Sequence, residues 1–202
     1  FLINTNKNNR EFTLNTSDKF FLSNDVNHKY STIYKENDFS KSKSYKLDIF
    51  SINTSLNYLF SENTFHTIGV GYSLKNYKIT DVNTVSSNIL SSSGDSISFN
   101  LSNDITRNTV DSFLRPTNGN FLSFVNFIET PSSSSNGFIK NVITGKKYYN
   151  INDNIFSIQA KAGKIFSIDN NEILSDDKFS LGGRWLRGFD NFGAGPRNSR
   201  NS

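Results

Sequence analysis

Apolar and polar side chains alternate along much of the chain with a period of two residues, as in β-strands with one apolar and one wet face. The clearest stretch is 50–58, in which the apolar or β-forming set is Phe50, Ile52, Thr54, Leu56 and Tyr58 and the polar set is Ser51, Asn53, Ser55 and Asn57. The same alternation recurs in 68–75, 97–101 and 155–166. Helical periodicity is hard to find, so the pattern predicts an all-β chain.

Less regular segments lie between these clear strands. A short strand is predicted in 1–6 and others in 10–16, 19–31, 121–129 and 138–149. The polar and charged segment 35–44 is predicted to be a loop. Together these segments predict about nine antiparallel strands.

The connections between the predicted strands are alternately short and long. Arg115-Pro116-Thr117-Asn118-Gly119 is a turn signal, because Pro presets φ and Asn-Gly tolerates positive φ. Short turns at one end and long loops at the other are typical of an outer-membrane barrel. A soluble β-sandwich also alternates, but its polar face would not need to be so free of Lys and Glu. The pattern therefore favours an antiparallel transmembrane β-barrel.

Composition supports the barrel. Hydrophobic residues make up 35% of the 202 residues, charged residues 20% and aromatic residues 14%. The mean hydropathy of −0.50 suits strands in which only alternate residues contact lipid. No apolar run is long enough for a transmembrane helix. Cys is absent, which excludes disulfides and thiolate metal sites, and the net charge of +4 is too dispersed to indicate a nucleic-acid surface.

A glycine-rich stretch, 178–197, differs from the rest of the chain. It holds five of the 12 glycines, one of the three prolines and the only Trp. Glycines permit positive φ or close backbone approach, and the large side chains of Arg187 and Phe189 between them suit a defined pocket. A surface turn between strands would also explain such a stretch.

That stretch resembles the sixth extracellular loop of the bacterial surface antigen family of outer-membrane assembly proteins. The resemblance rests on a Gly-Gly pair, an Arg-Gly-aromatic core and a following Gly-Pro, formed here by Gly182, Gly183, Leu186, Arg187, Gly188, Phe189, Gly195 and Pro196. Leu186 replaces the usual Val. The earlier turn resembles the periplasmic turn of the family through Pro116, Thr117 and Gly119. The resemblance is specific over 111–197, whereas the earlier strands are only compatible with it.

The resemblance implies a barrel of 16 antiparallel strands preceded by periplasmic POTRA domains. Residues 1–202 would then be one partial barrel domain, spanning roughly the third to the eleventh strand and the start of the sixth loop. We therefore interpret the chain as a piece of a longer protein, with the POTRA domains and the C-terminal strands outside it.

The function implied by the resemblance is the folding and insertion of other β-barrel proteins into the bacterial outer membrane. Such a protein is not an enzyme and needs no cofactor. The implied partners are the lipid bilayer, accessory lipoproteins of the assembly complex, unfolded outer-membrane substrates and their periplasmic chaperones, without nucleic acid. Two alternatives belong to the same family, namely an assembly factor for autotransporters and a two-partner secretion pore. A porin or an adhesin is a more distant alternative.

Arg187 has a specific role in this family pattern. The motif arginine folds into the lumen and pairs with acidic side chains of the barrel wall, because a guanidinium stays charged and forms bidentate bonds. The family's acidic partners lie on strands beyond Ser202.

Other candidate chemistry is weak. His28 and His66 have no neighbouring ligands in sequence, so a satisfied or solvated His is expected rather than a metal site. Asp176 and Asp177 are interpreted as a solvated loop rather than as a calcium or acid–base site.

Overall fold

The computed structural model describes residues 1–6, 8–19, 21, 25–131, 136–152, 154–174, 177–179 and 188. Nine strands of these residues form one open sheet, in which every strand pairs antiparallel with its neighbour in the chain. The strands are β1 (Leu2–Thr5), β2 (Asn9–Asp18), β3 (Val26–Asp38), β4 (Tyr45–Ser61), β5 (Thr64–Ile79), β6 (Gly94–Asn108), β7 (Gly119–Glu129), β8 (Phe138–Ile151) and β9 (Asn154–Ser167). The predicted all-β antiparallel sheet of about nine strands is confirmed.

Two short helices of the described residues lie in the connections between strands: α1 (Ser40–Lys43) lies between β3 and β4, and α2 (Ser87–Ser91) lies between β5 and β6. No helix among the described residues has the length and apolar character needed to cross a membrane.

The third strand differs from the prediction. Residues 35–38, expected in a loop, belong to β3, whereas most of 19–25 connects β2 to β3. The charges that indicated a loop are paired across strands: Lys35 Nζ lies 3.0 Å from Glu11 Oε1, and Lys46 Nζ lies 3.0 Å from Asp38 Oδ2. Opposite charges at neighbouring cross-strand positions stabilise a sheet, so charge density alone was a misleading loop signal.

The two ends of the sheet carry different connections. The turn end holds the connections 19–25, 62–63, 109–118 and 152–153. The loop end holds the connections 6–8, 39–44, 80–93 and 130–137 and, of the residues that follow β9, the described residues 168–174 and 177–179. The tight turns at 62–63 and 152–153 place Asn63 at φ 59° and Asn152 at φ 49°, as two-residue hairpins require. Connections 62–63 and 152–153 at the turn end are short and 80–93 at the loop end is long, as expected. The expectation is wrong for 6–8, a short connection at the loop end, and for 109–118, a long connection at the turn end.

One face of the sheet, the apolar face, carries large exposed side chains in matching registers. Ile52, Tyr72 and Phe99 occupy partner positions on β4, β5 and β6, and Phe99 is 59% exposed. Other exposed apolar side chains on this face are Leu14, Val70, Leu101, Leu122, Ile143 and Ile158. An apolar band this extensive fits contact with lipid rather than with water.

The two histidines of the chain lie on the apolar face and contact side chains around them. His28 Nε2 lies 2.7 Å from Thr54 Oγ1, and the His28 ring lies between the rings of Phe21 and Tyr30. His66 is hydrogen-bonded to Tyr58 and Asn103. The expectation of a satisfied His is confirmed for His66, whereas His28 is satisfied only at Nε2, because its Nδ1 is buried without a hydrogen-bond partner among the described residues.

Candidate functional site on the inner wall

The opposite face, the inner face, is lined by small polar side chains at its centre. Ser51 Oγ lies 3.0 Å from Ser73 Oγ, and Asn57 Nδ2 donates to Thr67 Oγ1 at 2.7 Å. A Cβ at Gly71 would collide with the side chains of Asn53 and Asn100, so this position accommodates only glycine unless its neighbours shift. The polar residues predicted to line a hydrated lumen thus share one face and pair with one another.

An apolar cluster covers the inner face at the loop end. Its members on the strands are Tyr45, Leu47 and Tyr77, each of which is at most 3% exposed. Connection 80–93 adds Val85 and Ile89, and the segment that follows β9 adds Leu174, which is 5% exposed. Burial of these side chains removes apolar area from water, which holds both connections against the wall.

A buried ion cluster lies beside the apolar cluster. Lys75 Nζ is 3.2 Å from Glu129 Oε1 and 3.1 Å from Asp177 Oδ1, and the three side chains are 12%, 5% and 16% exposed. Lys75 and Glu129 belong to β5 and β7, whereas Asp177 belongs to the segment after β9. The expectation of a solvated loop is wrong for Asp177, since its carboxylate lies against a wall lysine, and Asp176 lies outside the described residues.

The same segment makes a third contact, with β8 and β9. Lys140 Nζ donates to the carbonyl oxygen of Asp177 at 2.8 Å and lies 4.7 Å from the ring centroid of Phe179. A Cβ built on Gly163 would approach Phe179 Cζ to 2.5 Å, so the ring needs a glycine beneath it. We call Leu174, Asp177 and Phe179, with their wall partners, the loop anchor.

The connection 109–118 at the turn end is organised by local hydrogen bonds. Asp111 Oδ1 accepts from the Thr117 backbone N–H at 2.9 Å, and Asp111 also accepts from the Thr117 hydroxyl. The Thr117 hydroxyl, followed by backbone N–H donors, lowers the pKa of Asp111 to about 2. Gly119 has φ +110°, and a Cβ there would collide with the carbonyl oxygen of Thr109. The turn predicted from Pro116, Thr117 and Gly119 therefore lies where the sequence placed it.

Residues 1–202 match the Omp85 superfamily domain over their whole length.

The chain belongs to the Omp85 superfamily.

Its curated relatives are longer proteins. A SAM50-like protein of Schizosaccharomyces pombe is 32% identical over 117 residues, covering 54% of this chain and 24% of the relative. The outer membrane protein assembly factor BamA of Nitratidesulfovibrio vulgaris is 27% identical over 168 residues, covering 80% of this chain and 21% of the relative. The chain thus spans about a quarter or less of the curated relatives that it matches.

Solved structures confirm the fold. The crystal structure of BamA from Haemophilus ducreyi lacking POTRA domains 1–3 superposes with a TM-score of 0.79 at 19% identity, covering 95% of this chain and 40% of that chain. The nine-stranded open sheet therefore corresponds to part of an outer-membrane barrel, as the alternation and the loop motif had predicted.

Most of the Omp85-like loop motif lies outside the described residues, namely Gly182, Gly183, Leu186, Arg187, Phe189, Gly195 and Pro196. Gly188 is described, with φ +93° and an exposed position. An L-residue rarely adopts this φ, which agrees with a glycine at the centre of the motif.

Sequence analysis did not single out Lys75, Glu129, Lys140 or Gly163, which hold the segment leading to the motif. A signal existed for two of them. Lys75 is a lone charge at the end of the Gly69-Gly71-Ser73 face, and Glu129 ends a strand that is otherwise apolar or uncharged. A charge at an inward-facing strand position calls for a partner, but alternation alone does not show which residue that partner is.

Proposed function

We propose that this chain forms part of the barrel of an outer-membrane β-barrel assembly factor, which folds and inserts other barrel proteins without enzymatic chemistry. The observation that carries the proposal is the match of all residues 1–202 to the Omp85 superfamily domain. The relative that covers 80% of the chain is named an outer membrane protein assembly factor. In this proposal the chain is one partial barrel domain, and the POTRA domains and C-terminal strands belong to other parts of the protein.

A BamA-type role is the leading form of this proposal. Its partners would be the lipid bilayer, the lipoproteins of the BAM complex, unfolded outer-membrane substrates and periplasmic chaperones. The apolar face supports contact with the bilayer, because its exposed side chains need an apolar environment. We place the protein in an outer membrane and propose a bacterial one, although a fungal relative shows that the similarity extends beyond bacteria.

We further propose that Arg187 folds toward the inner wall and pairs with carboxylates of strands that follow Ser202. What supports this role is the loop anchor, because Asp177 and Phe179 already bring the chain against the inner face shortly before the motif. Gly182, Gly183 and Gly188 would permit the sharp backbone path, and Phe189 would pack beside the arginine. In the same proposal Pro116, Thr117 and Gly119 form a periplasmic turn, so the turn end faces the periplasm.

Depletion of the full-length protein tests the function. We expect the amounts of many outer-membrane barrels to fall together, measured by quantitative proteomics of the outer-membrane fraction. Re-expression of the unsubstituted protein should restore them, whereas an R187A variant should restore them poorly. R200A is the matched control, because Arg200 lies outside the motif and should be dispensable. Unchanged barrel levels after depletion would exclude an assembly factor.

The alternatives predict other outcomes. Loss of autotransporters alone would indicate a TamA-like factor, and loss of one secreted adhesin would indicate a two-partner secretion transporter. Ion conductance without any assembly defect would favour a porin.

A further inference from the structure

Lys75 contacts two carboxylates that belong to different parts of the molecule. Glu129 lies on β7, which is joined to β5 through β6 in the same sheet, so this contact lies wholly within the wall. Asp177 lies on the segment after β9, so its contact with Lys75 spans from the wall to the loop. One buried cation thus joins a permanent wall partner to a partner on a separate segment.

The docked segment brings a negative charge to a group of wall lysines. Lys75 contacts the Asp177 carboxylate, Lys140 donates to the Asp177 carbonyl oxygen, and Lys161 adds a further positive charge near Lys140. Withdrawal of the segment removes one negative charge but leaves the contact between Lys75 and Glu129 in place. Because breaking a buried ion pair costs most when a charge loses its partner, a second partner within the wall lowers the cost of withdrawal.

The apolar contacts of the segment have a similar arrangement. Leu174 enters a cluster whose other members come from β4, β5 and connection 80–93 and pack with one another. Phe179 lies over the bare backbone of Gly163 rather than between interlocked side chains, and it remains 43% exposed. Both surfaces are formed by wall residues outside the segment, as a preformed docking site requires.

We propose that Lys75 is a positioning residue that docks Leu174, Asp177 and Phe179 reversibly on the inner wall and so sets the point from which the chain continues toward the loop motif. Glu129 holds Lys75 in place in both the docked and the withdrawn state. The contribution to assembly rests on the proposed function, whereas the docking itself does not.

Hydrogen exchange of the full-length protein in lipid vesicles tests the docking. The backbone N–H groups of Asp177 and Lys178 donate to the carbonyl oxygen of Leu174 within the segment. The wall contacts of Leu174 and Asp177 hold both ends of this turn, so loss of docking should loosen it and speed exchange of the two amides. In D177N we expect these amides to exchange at least about tenfold faster, since a charge-assisted contact is lost. The amides of β4 and β5 should exchange as before, because the contact between Lys75 and Glu129 remains. Unchanged exchange of the backbone amides at positions 177 and 178 in D177N would overturn the proposal.

Two further variants separate positioning from general stability. In K75Q both carboxylates lose their shared cation, so exchange should accelerate in the segment and also in β5 and β7. The double variant K75E/D177K places the cation on the segment and both carboxylates on the wall, and it should restore slow exchange that K75E alone loses. The matched control is K46Q, because Lys46 pairs with Asp38 at 3.0 Å but is 49% exposed. Failure of the double variant to recover slow exchange would contradict direct pairing.

The assembly arm uses the same proteins in vesicles and measures the rate at which a second barrel protein folds. D177N should slow this rate and the charge-swapped double variant should restore it, while K46Q leaves it unchanged. A wild-type rate in D177N, together with faster exchange, would overturn the positioning role. If the unsubstituted protein assembles nothing, the proposed function fails, and the exchange arm still decides the docking.

Discussion

The two ends of the sheet are held together in different ways. All buried apolar side chains in the described part of the chain lie at the loop end, in the apolar cluster or at Phe138. The turn end instead leaves Phe113 and Leu114 98% and 92% exposed, and it is organised by backbone geometry and hydrogen bonds over a few residues. The turn end is thus ordered by contacts between residues close in sequence, and the loop end by a small core of residues distant in sequence.

That difference has a consequence for function. Local turns fix the register of neighbouring strands, and the register decides which side chains lie on the inner face and which on the apolar face. Contacts between distant segments can form and break without changing the strand pairing. The loop end, where the loop anchor lies, is therefore where we propose that the segment docks and leaves.

The largest expected effect distinguishes the core of the loop end from the exposed turn end. Replacement of Tyr77 by Ala should lower the free energy of unfolding by about 3–5 kcal/mol, because a large buried side chain leaves a cavity. F113A at the turn end should change it by less than about 0.5 kcal/mol, since Phe113 contributes little buried area. Urea titration of the full-length protein in lipid vesicles measures both values. Equal losses at the two ends would break the comparison.

A smaller effect is expected from the backbone of the turn end. G119A should cost about 1–3 kcal/mol, because a residue at φ +110° is strained and the new Cβ meets the Thr109 carbonyl oxygen. Gly145 is the matched control, since it lies in β8 with no atom within 4 Å of a built Cβ. G145A should leave the urea midpoint nearly unchanged or raise it slightly. If both glycines tolerate Ala equally, backbone geometry does not hold the turn end.

The smallest effect should be confined to connection 109–118. The folded state lowers the pKa of Asp111 to about 2, so its hydrogen bonds stabilise the turn at neutral pH. This contribution should fade as the pH falls from about 4, the ordinary pKa of an Asp carboxyl, to about 2. Exchange of the Thr117 amide, corrected for the intrinsic effect of pH, should accelerate over this range. In D111N the acceleration should be absent, and a pH response that persists there would assign it to another group.

Local chemistry made much of the fold predictable. Alternation identified the two faces of β4, β5 and β9, because neighbouring side chains of a strand point to opposite sides. The Pro-Thr-Asn-Gly signal located the turn before β7, since those residue types constrain their own backbone. The glycine-rich motif identified the family. Charged strands were harder to recognise, as Lys35 and Asp38 show, because their partners lie on neighbouring strands.

The sequence by itself determined the strand type, the apolar and polar faces, the family and the position of the main turn, since each depends on residues close together in the chain. Only the tertiary structure decided why Gly163 is a glycine, which carboxylates Lys75 holds, and that Asp177 is not solvated. Lys75 and Asp177 are about a hundred positions apart, and β6 to β9 lie between them in the sheet order. A contact of that kind follows from the register of the whole sheet, which no local pattern encodes.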